Sequence, residues 1–245
     1  EHVASEGKLL QTIPARTYEL ETINSMNLPE LTAEDFLLRV PAELSDAAEV
    51  EVHIMDFPDT SSLYASLSKV TLPVTDGLVD ISEHPDLSYV IVLNRFGTGS
   101  VSQGIVRGFG LKQGANASTI SHDSHNLCVV YRDPQAALAT AEALRDCGGG
   151  IAAGLDGELL GTFPLPLGGL MSLEPAEETA ARGEVMKDHL RTLGLDQENP
   201  LLRIAFICLI VIPEVKFSDL GLVDVTTQSF VDIFPQVGAR ASRTL

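Results

Sequence analysis

The sequence predicts an α+β or layered α/β domain, with mixed, largely antiparallel β-sheets flanked by helices. Three observations carry that prediction. Short β-branched runs crowd the first half of the chain,. Two tight turn signals, at Glu6-Gly7 and Asp156-Gly157, join neighbouring runs at hairpin spacing,. Helix punctuation is clear only after Tyr131, where helices alternate with further strands. A doubly wound parallel sheet would instead alternate strand and helix throughout.

In chain order, Val3-Ala4 and Leu9-Leu10 flank the first turn and form a hairpin, which suggests a sheet completed elsewhere. Residues 11–35 carry Pro14, Asn24, Asn27 and Pro29 with little periodicity and read as an extended connector,. Phe36–Val40 is a strand candidate. Val50–Met55 alternates strictly, as a half-buried strand does, and places His53 on the solvent phase,. Leu67–Leu72 and Gly77–Ile81 are strands about a Pro73–Asp76 turn. Tyr89–Leu93 is continuously apolar, the mark of a strand covered on both faces,. A glycine-rich loop through Gly97, Gly99 and Gly104 follows, then a glycine-interrupted strand from Ile105 to Leu111. Gly114-Ala115 turns the chain into a polar corner.

After Tyr131, Asp133 is an N-cap, Pro134 the first helical residue and Gly148 the stop, with Ala137, Leu138, Ala141 and Leu144 as the apolar stripe,. Ile151–Ala153 and Glu158–Thr162 flank the Asp156-Gly157 turn. A second helix runs from about Pro175 to Leu193 and stops at Gly194. Pro200–Ile212 reads as a buried helix, with a strand as the alternative, and Pro213–Asp224 as a polar loop. Ala239–Leu245 is expected to be disordered. The division is thus 1–35 for hairpin and connector, 36–235 for a single compact domain or two packed halves, and 236–245 for a flexible tail.

With 245 residues, 44% hydrophobic and 20% charged, the chain can bury a sizeable core,. A formal net charge of −18 argues against nucleic acid and anionic membrane as partners,. The acidic stretch from Glu19 to Asp59, with Arg39 as its only basic residue, reads as a solvated face,. Cys128, Cys147 and Cys208 are an odd number without C-x-x-C spacing, which fits free thiols and a cytoplasmic location,. No basic, then apolar leader opens the sequence. The longest apolar run, Ile204–Ile212, falls well short of the roughly 20 residues of a membrane span, so a soluble chain is expected.

Most catalytic motifs fail on inspection. Gly99–Gly104 has P-loop glycine spacing but Ile105-Val106 where Lys and Ser/Thr are needed,. Gly97-Thr98-Gly99 lacks the third glycine of a dinucleotide fingerprint, and no G-x-S-x-G elbow occurs,. What is left is the corner His122-Asp123-Ser124-His125-Asn126, five consecutive side chains that donate, accept or ligate. His122, Asp123 and His125 are the candidate catalytic groups, since neutral imidazole is a general base and His with carboxylate is a metal-ligand set. His122 and His125 are alternatively a metal pair. A satisfied polar turn, with Asp123 or Asn126 bonding backbone amides, is the plainer reading of the same residues.

Six blocks carry a resemblance. Asn94–Gly99, Gly108–Lys112, Gly114–Asn126, Gly148–Gly150, Leu165–Ser172 and Pro213–Asp224 are long and collinear. Together they resemble the C-terminal domain of bacterial-type adenine deaminases, over about Gly7 to Phe234. That resemblance implies hydrolytic conversion of adenine to hypoxanthine and ammonia in purine salvage. It also implies an amidohydrolase barrel N-terminal to this domain, holding a divalent metal centre (Mn, Fe or Zn). Glu6–Leu10 resembles the last hairpin of the small sandwich beside such barrels. No His-x-His pair is present, so the barrel's metal ligands are expected to be absent from this chain. This chain alone is therefore expected to be inactive, as a fragment, a split-enzyme subunit or a stand-alone relative. Its expected partners are the barrel, adenine and further copies of itself in a homo-oligomer. Ser124, Asn126, Arg95 and Glu214, each in a matched block, are candidate substrate-binding residues. Two other readings are an independent metal site at the corner, and a structural module that mediates oligomerisation.

Overall fold

A computed structural model describes residues 2–12 and 24–237. In the first half, β1 (Ala4–Ser5), β2 (Lys8–Leu9), β3 (Glu49–Asp56), β4 (Ser66–Thr75) and β5 (Leu78–Val79) precede β6 (Leu87–Leu93) and β7 (Val101–Arg107). Then come β8 (Ala115–Ser118), β9 (Leu127–Tyr131), α1 (Pro134–Cys147), β10 (Gly150–Leu155) and β11 (Glu158–Pro164). The last part holds α2 (Ala176–Thr192), α3 (Pro200–Arg203), β12 (Val215–Ser218), β13 (Gly221–Asp224) and β14 (Ser229–Val231). The α+β class is as expected.

Nine strands form one sheet in the order β11-β10-β8-β9-β6-β7-β3-β4-β5. Every pairing is antiparallel except β3 with β7. A second sheet, β12-β13-β14, and the separate β1-β2 hairpin complete the strands. Three two-residue turns share one chemistry: Glu6-Gly7, Asp76-Gly77 and Asp156-Gly157 each place an acidic residue and then glycine at positive φ. That pair of left-handed conformations matches the twist of the strands it joins.

The central strand β6 is buried along nearly its whole length, as its apolar run requires. One face of the sheet packs on α1, through Ala136, Ala137, Ala141 and Leu144 against Ile91, Leu93, Val129 and Ala152. The other face buries Val90, Val92, Cys128 and Val130 beneath Met186 and Leu190 of α2, and beneath Phe217 and Leu222 of the second sheet. At α1 the caps act as the sequence predicts: the Asp133 side chain accepts from the Gln135 amide at 2.9 Å, and Gly148 closes the helix at φ 85°,.

Several expectations need correction. Phe36–Val40 is not a strand: the Asp35 carboxylate accepts from the Thr32 amide (2.7 Å) and hydroxyl (2.9 Å), winding residues 33–36 into a 3-10 turn. Arg39 makes only an isolated bridge to Leu78. Pro73 lies inside β4 rather than in a turn, opposite Glu49 at the start of β3, where a missing N–H is tolerated,. Gly104 belongs to β7 and not to the preceding loop. A Cβ there would lie 2.5 Å from the Phe217 ring, so glycine lets β12 lie flat on the sheet. His53 is half-buried, its Nδ1 2.7 Å from the Asp232 carbonyl.

Pro200–Ile212 winds only to Phe206, because the Ile207 carbonyl accepts from the Phe217 amide instead of continuing a helix. Pro213–Asp224 is a hairpin, β12-β13, and β14 was not anticipated. The hairpin looked polar because Lys216 is fully buried there, its ammonium donating to the Leu63 carbonyl at 2.7 Å. The expected disorder of 239–245 and residues 13–23 of the connector fall outside the described residues.

Candidate functional site

Strand direction brings most of the matched blocks to one place. Leu93 pairs with Leu127, Ser118 with Cys128, and Ile151 with Ser118. The loops that leave β6 and β8, the turn that enters β10 and the loop after β11 therefore share one end of the sheet.

Two buried side chains tie these loops together. Thr119, fully enclosed, accepts from the Gly150 amide (2.8 Å) and donates to the Gly169 carbonyl (2.7 Å). Arg95 donates to the Gly168 carbonyl (2.8 Å) and the Ser25 hydroxyl (3.0 Å). Its backbone amide donates to Asn126 Oδ1 at 3.3 Å. The glycines at 149 and 169 are needed for close approach: a Cβ on Gly149 would stand 2.6 Å from Gly169 Cα, and one on Gly169 2.6 Å from the Arg95 guanidinium. Burial lowers the Arg95 pKa, and it has no carboxylate partner among the described residues.

Asn94 fastens the second sheet to the same end. Its Nδ2 donates to the Asp219 carboxylate at 3.0 Å, and its Oδ1 accepts from the Phe96 amide at 2.9 Å. Ser100 also donates to Asp219.

Above this base stands the predicted corner. Ser121 and Asn126 are buried, His122 and His125 half-buried, and Asp123 and Ser124 exposed. The His125 amide donates to the Ser121 carbonyl at 2.7 Å, closing the turn, and the two imidazoles meet edge to face with centroids 5.0 Å apart. Burial, then neighbouring His122 and Arg95, depress the His125 pKa, so the ring is neutral near pH 7,. His125 Nδ1, Ser121 Oγ and Arg95 Nε are enclosed and have no hydrogen-bond partner among the described residues.

Of the residues singled out from sequence, the structure brings His122, Asp123, Ser124, His125 and Asn126 together. Arg95 lies beneath them, turned inward. Glu214 does not join them: it pairs with Ala65 and accepts from the Leu67 amide at 3.4 Å, at the opposite end of the sheet. Thr119, Asn94 and Asp219 were missed as organisers. Thr119 hid in a β-prone run, and Asp219 in a stretch read as loop.

Two imidazoles do not make a metal centre. No group of three or more His, Cys, Asp or Glu suited to a metal occurs among the described residues, so no hydrolytic step through a metal is derived from this chain,. All three cysteines are free. No helix among the described residues is long and apolar enough to cross a membrane.

The fold and corner define an α+β domain that presents a polar turn at one sheet end, with no metal-ligand set among the described residues. The chain belongs to the adenine deaminase C-terminal domain family, which residues 62–229 match. It is 41% identical over 234 residues to an adenine deaminase of Moorella thermoacetica, covering 94% of this chain and 38% of that protein. An adenine deaminase of Clostridium botulinum is 34% identical over 234 residues, with 95% and 38% covered. Adenine deaminase 2 of Carboxydothermus hydrogenoformans is 39% identical over 212 residues, with 86% and 36% covered. The chain thus spans well under half the length of these relatives.

Proposed function

We propose that this chain serves as the C-terminal part of an adenine deaminase, in which a longer N-terminal portion performs the hydrolysis and the His122–Asn126 corner shapes the purine pocket. One observation carries the reading: most of the blocks that resemble the family converge on one sheet end, where Asp123 and Ser124 of the polar corner are exposed. The reaction adds water at the amidine carbon of adenine and releases ammonia, leaving hypoxanthine. Water activation, and the divalent metal the resemblance implies (Mn, Fe or Zn), belong in this reading to the N-terminal portion. The corner contributes neutral imidazole, hydroxyl and carboxylate groups able to pair with the edges of a purine. The free thiols suit a cytoplasmic enzyme of purine salvage, which we expect to be homo-oligomeric.

Steady-state kinetics on this chain joined to such an N-terminal portion test the role of the corner. Replacing His122 and His125 by Gln should raise KM about tenfold, equivalent to about 1.4 kcal/mol, and change kcat far less. An unchanged KM removes the corner from the pocket. A collapse of kcat would make the imidazoles participants in the chemistry.

A further inference from the structure

The sheet end that carries the corner also carries exposed apolar side chains. Phe96 (49% exposed) follows Arg95, Met171 (55%) and Leu173 follow Gly169, and Leu220 (66%) caps the β12-β13 turn beside Asp219. These positions have little slack. Arg95 holds the 168–169 loop, Asp219 is bound by Asn94 and Ser100, and the Arg95 guanidinium lies 4.9 Å from the Phe96 ring centroid. The apolar groups are therefore held in place around the polar turn, as in a preformed interface with aromatic anchors.

At the opposite end the chain's own later segments tie down several strand ends, with Leu63 (42%) and Tyr64 (48%) left exposed there. Gln197 donates to the Phe109 carbonyl (3.1 Å), Arg203 to the carbonyls of Gly108 (3.0 Å) and Asp59 (3.2 Å), and Gln113 to that of Thr192 (2.9 Å). The occupant follows from length. The relatives named adenine deaminase extend far beyond the part this chain matches, and the matching family is their C-terminal domain, so the remaining mass is N-terminal.

We infer that the catalytic N-terminal portion docks on this end of the sheet, burying Phe96, Met171, Leu173 and Leu220 around the His122–Ser124 turn. The inference rests on the proposed function and adds to it the face that is covered.

The test uses a full-length protein in which this chain follows the N-terminal portion of the Moorella thermoacetica enzyme. Phe96→Cys, Leu220→Cys and Leu63→Cys are made singly in a Cys147→Ser background, where Cys128 and Cys208 are buried. Leu63 is an exposed control near the opposite end. Maleimide labelling at 96 and 220 should slow by about tenfold or more relative to the chain alone, as expected for the water-excluded centre of an interface, with 63 unchanged. Equal labelling at 96 and 220 in a protein that deaminates adenine overturns the docking face and leaves the function standing. Protection at 63 in place of 96 and 220 also overturns it. A folded joined protein with neither protection nor activity overturns both.

Discussion

Thr119 shows how much one hydroxyl can hold. It serves a donor on one glycine-rich turn and an acceptor on another, and both would be left buried and unpaired in Thr119→Val. Two orphaned groups cost about 2–4 kcal/mol together, so the urea midpoint should fall sharply, while Thr119→Ser keeps the bonds and most of the stability. Equal losses in the two variants would assign the role to the methyl group. Lys216 gives a second residue-scale prediction. Burial first, then Arg203, lowers its pKa to about 8 from the ordinary 10.5. The folded chain then releases this proton before the unfolded one does, so between those values the unfolded state binds more protons and stability rises with pH. The wild type should gain up to about 3 kcal/mol on Lys216→Met between pH 8 and pH 10.5, read from urea midpoints at each pH. A difference that does not change with pH would refute the depressed pKa.

Among the elements, close backbone approach separates glycines that look alike in sequence. Gly114, at φ 66°, has the Gly154 carbonyl 2.1 Å from where a Cβ would stand; Gly77, at φ 74°, has nothing within 4 Å. Gly77→Ala should cost about 1 kcal/mol from φ alone, and Gly114→Ala at least about twice that, since strand β8 must also move away from β10. Thermal unfolding of the two variants checks the ranking; a milder effect at 114 contradicts the packing described. Elements built by local rules were legible. The Asp133 cap, the Asp156-Gly157 turn and the unbroken apolar run of β6 each state their structure within a few residues. Elements decided by distant partners were not. Nothing near Ile207 announces that the Phe217 amide takes its carbonyl, and nothing near Lys216 announces its burial beneath Leu63. A buried lysine therefore made a hairpin read as loop.

For the whole molecule, a net charge of −18 opposes compaction, and four of the ten ion pairs among the described residues are exposed on both sides,. Raising ionic strength from low salt to the physiological range should therefore raise the unfolding midpoint; a fall would mean that ion pairs outweigh self-repulsion. The corner at 122–126 was visible in sequence because five polar side chains in a row need a reason. Its base was not, because Arg95, Thr119 and Asn94 meet only through strand order across the sheet. Glu214, in a block as recognisable as the others, lies at the far end for the same reason. The decisive experiment is adenine deamination with Mn, Fe(II) or Zn supplied, on this chain alone and on the chain with an N-terminal catalytic portion. No hypoxanthine is expected from the chain alone, and steady production from the combination. Hypoxanthine from the chain alone would contradict the proposed function and make the His122–His125 corner a catalytic metal site, and silence in both would leave a structural module.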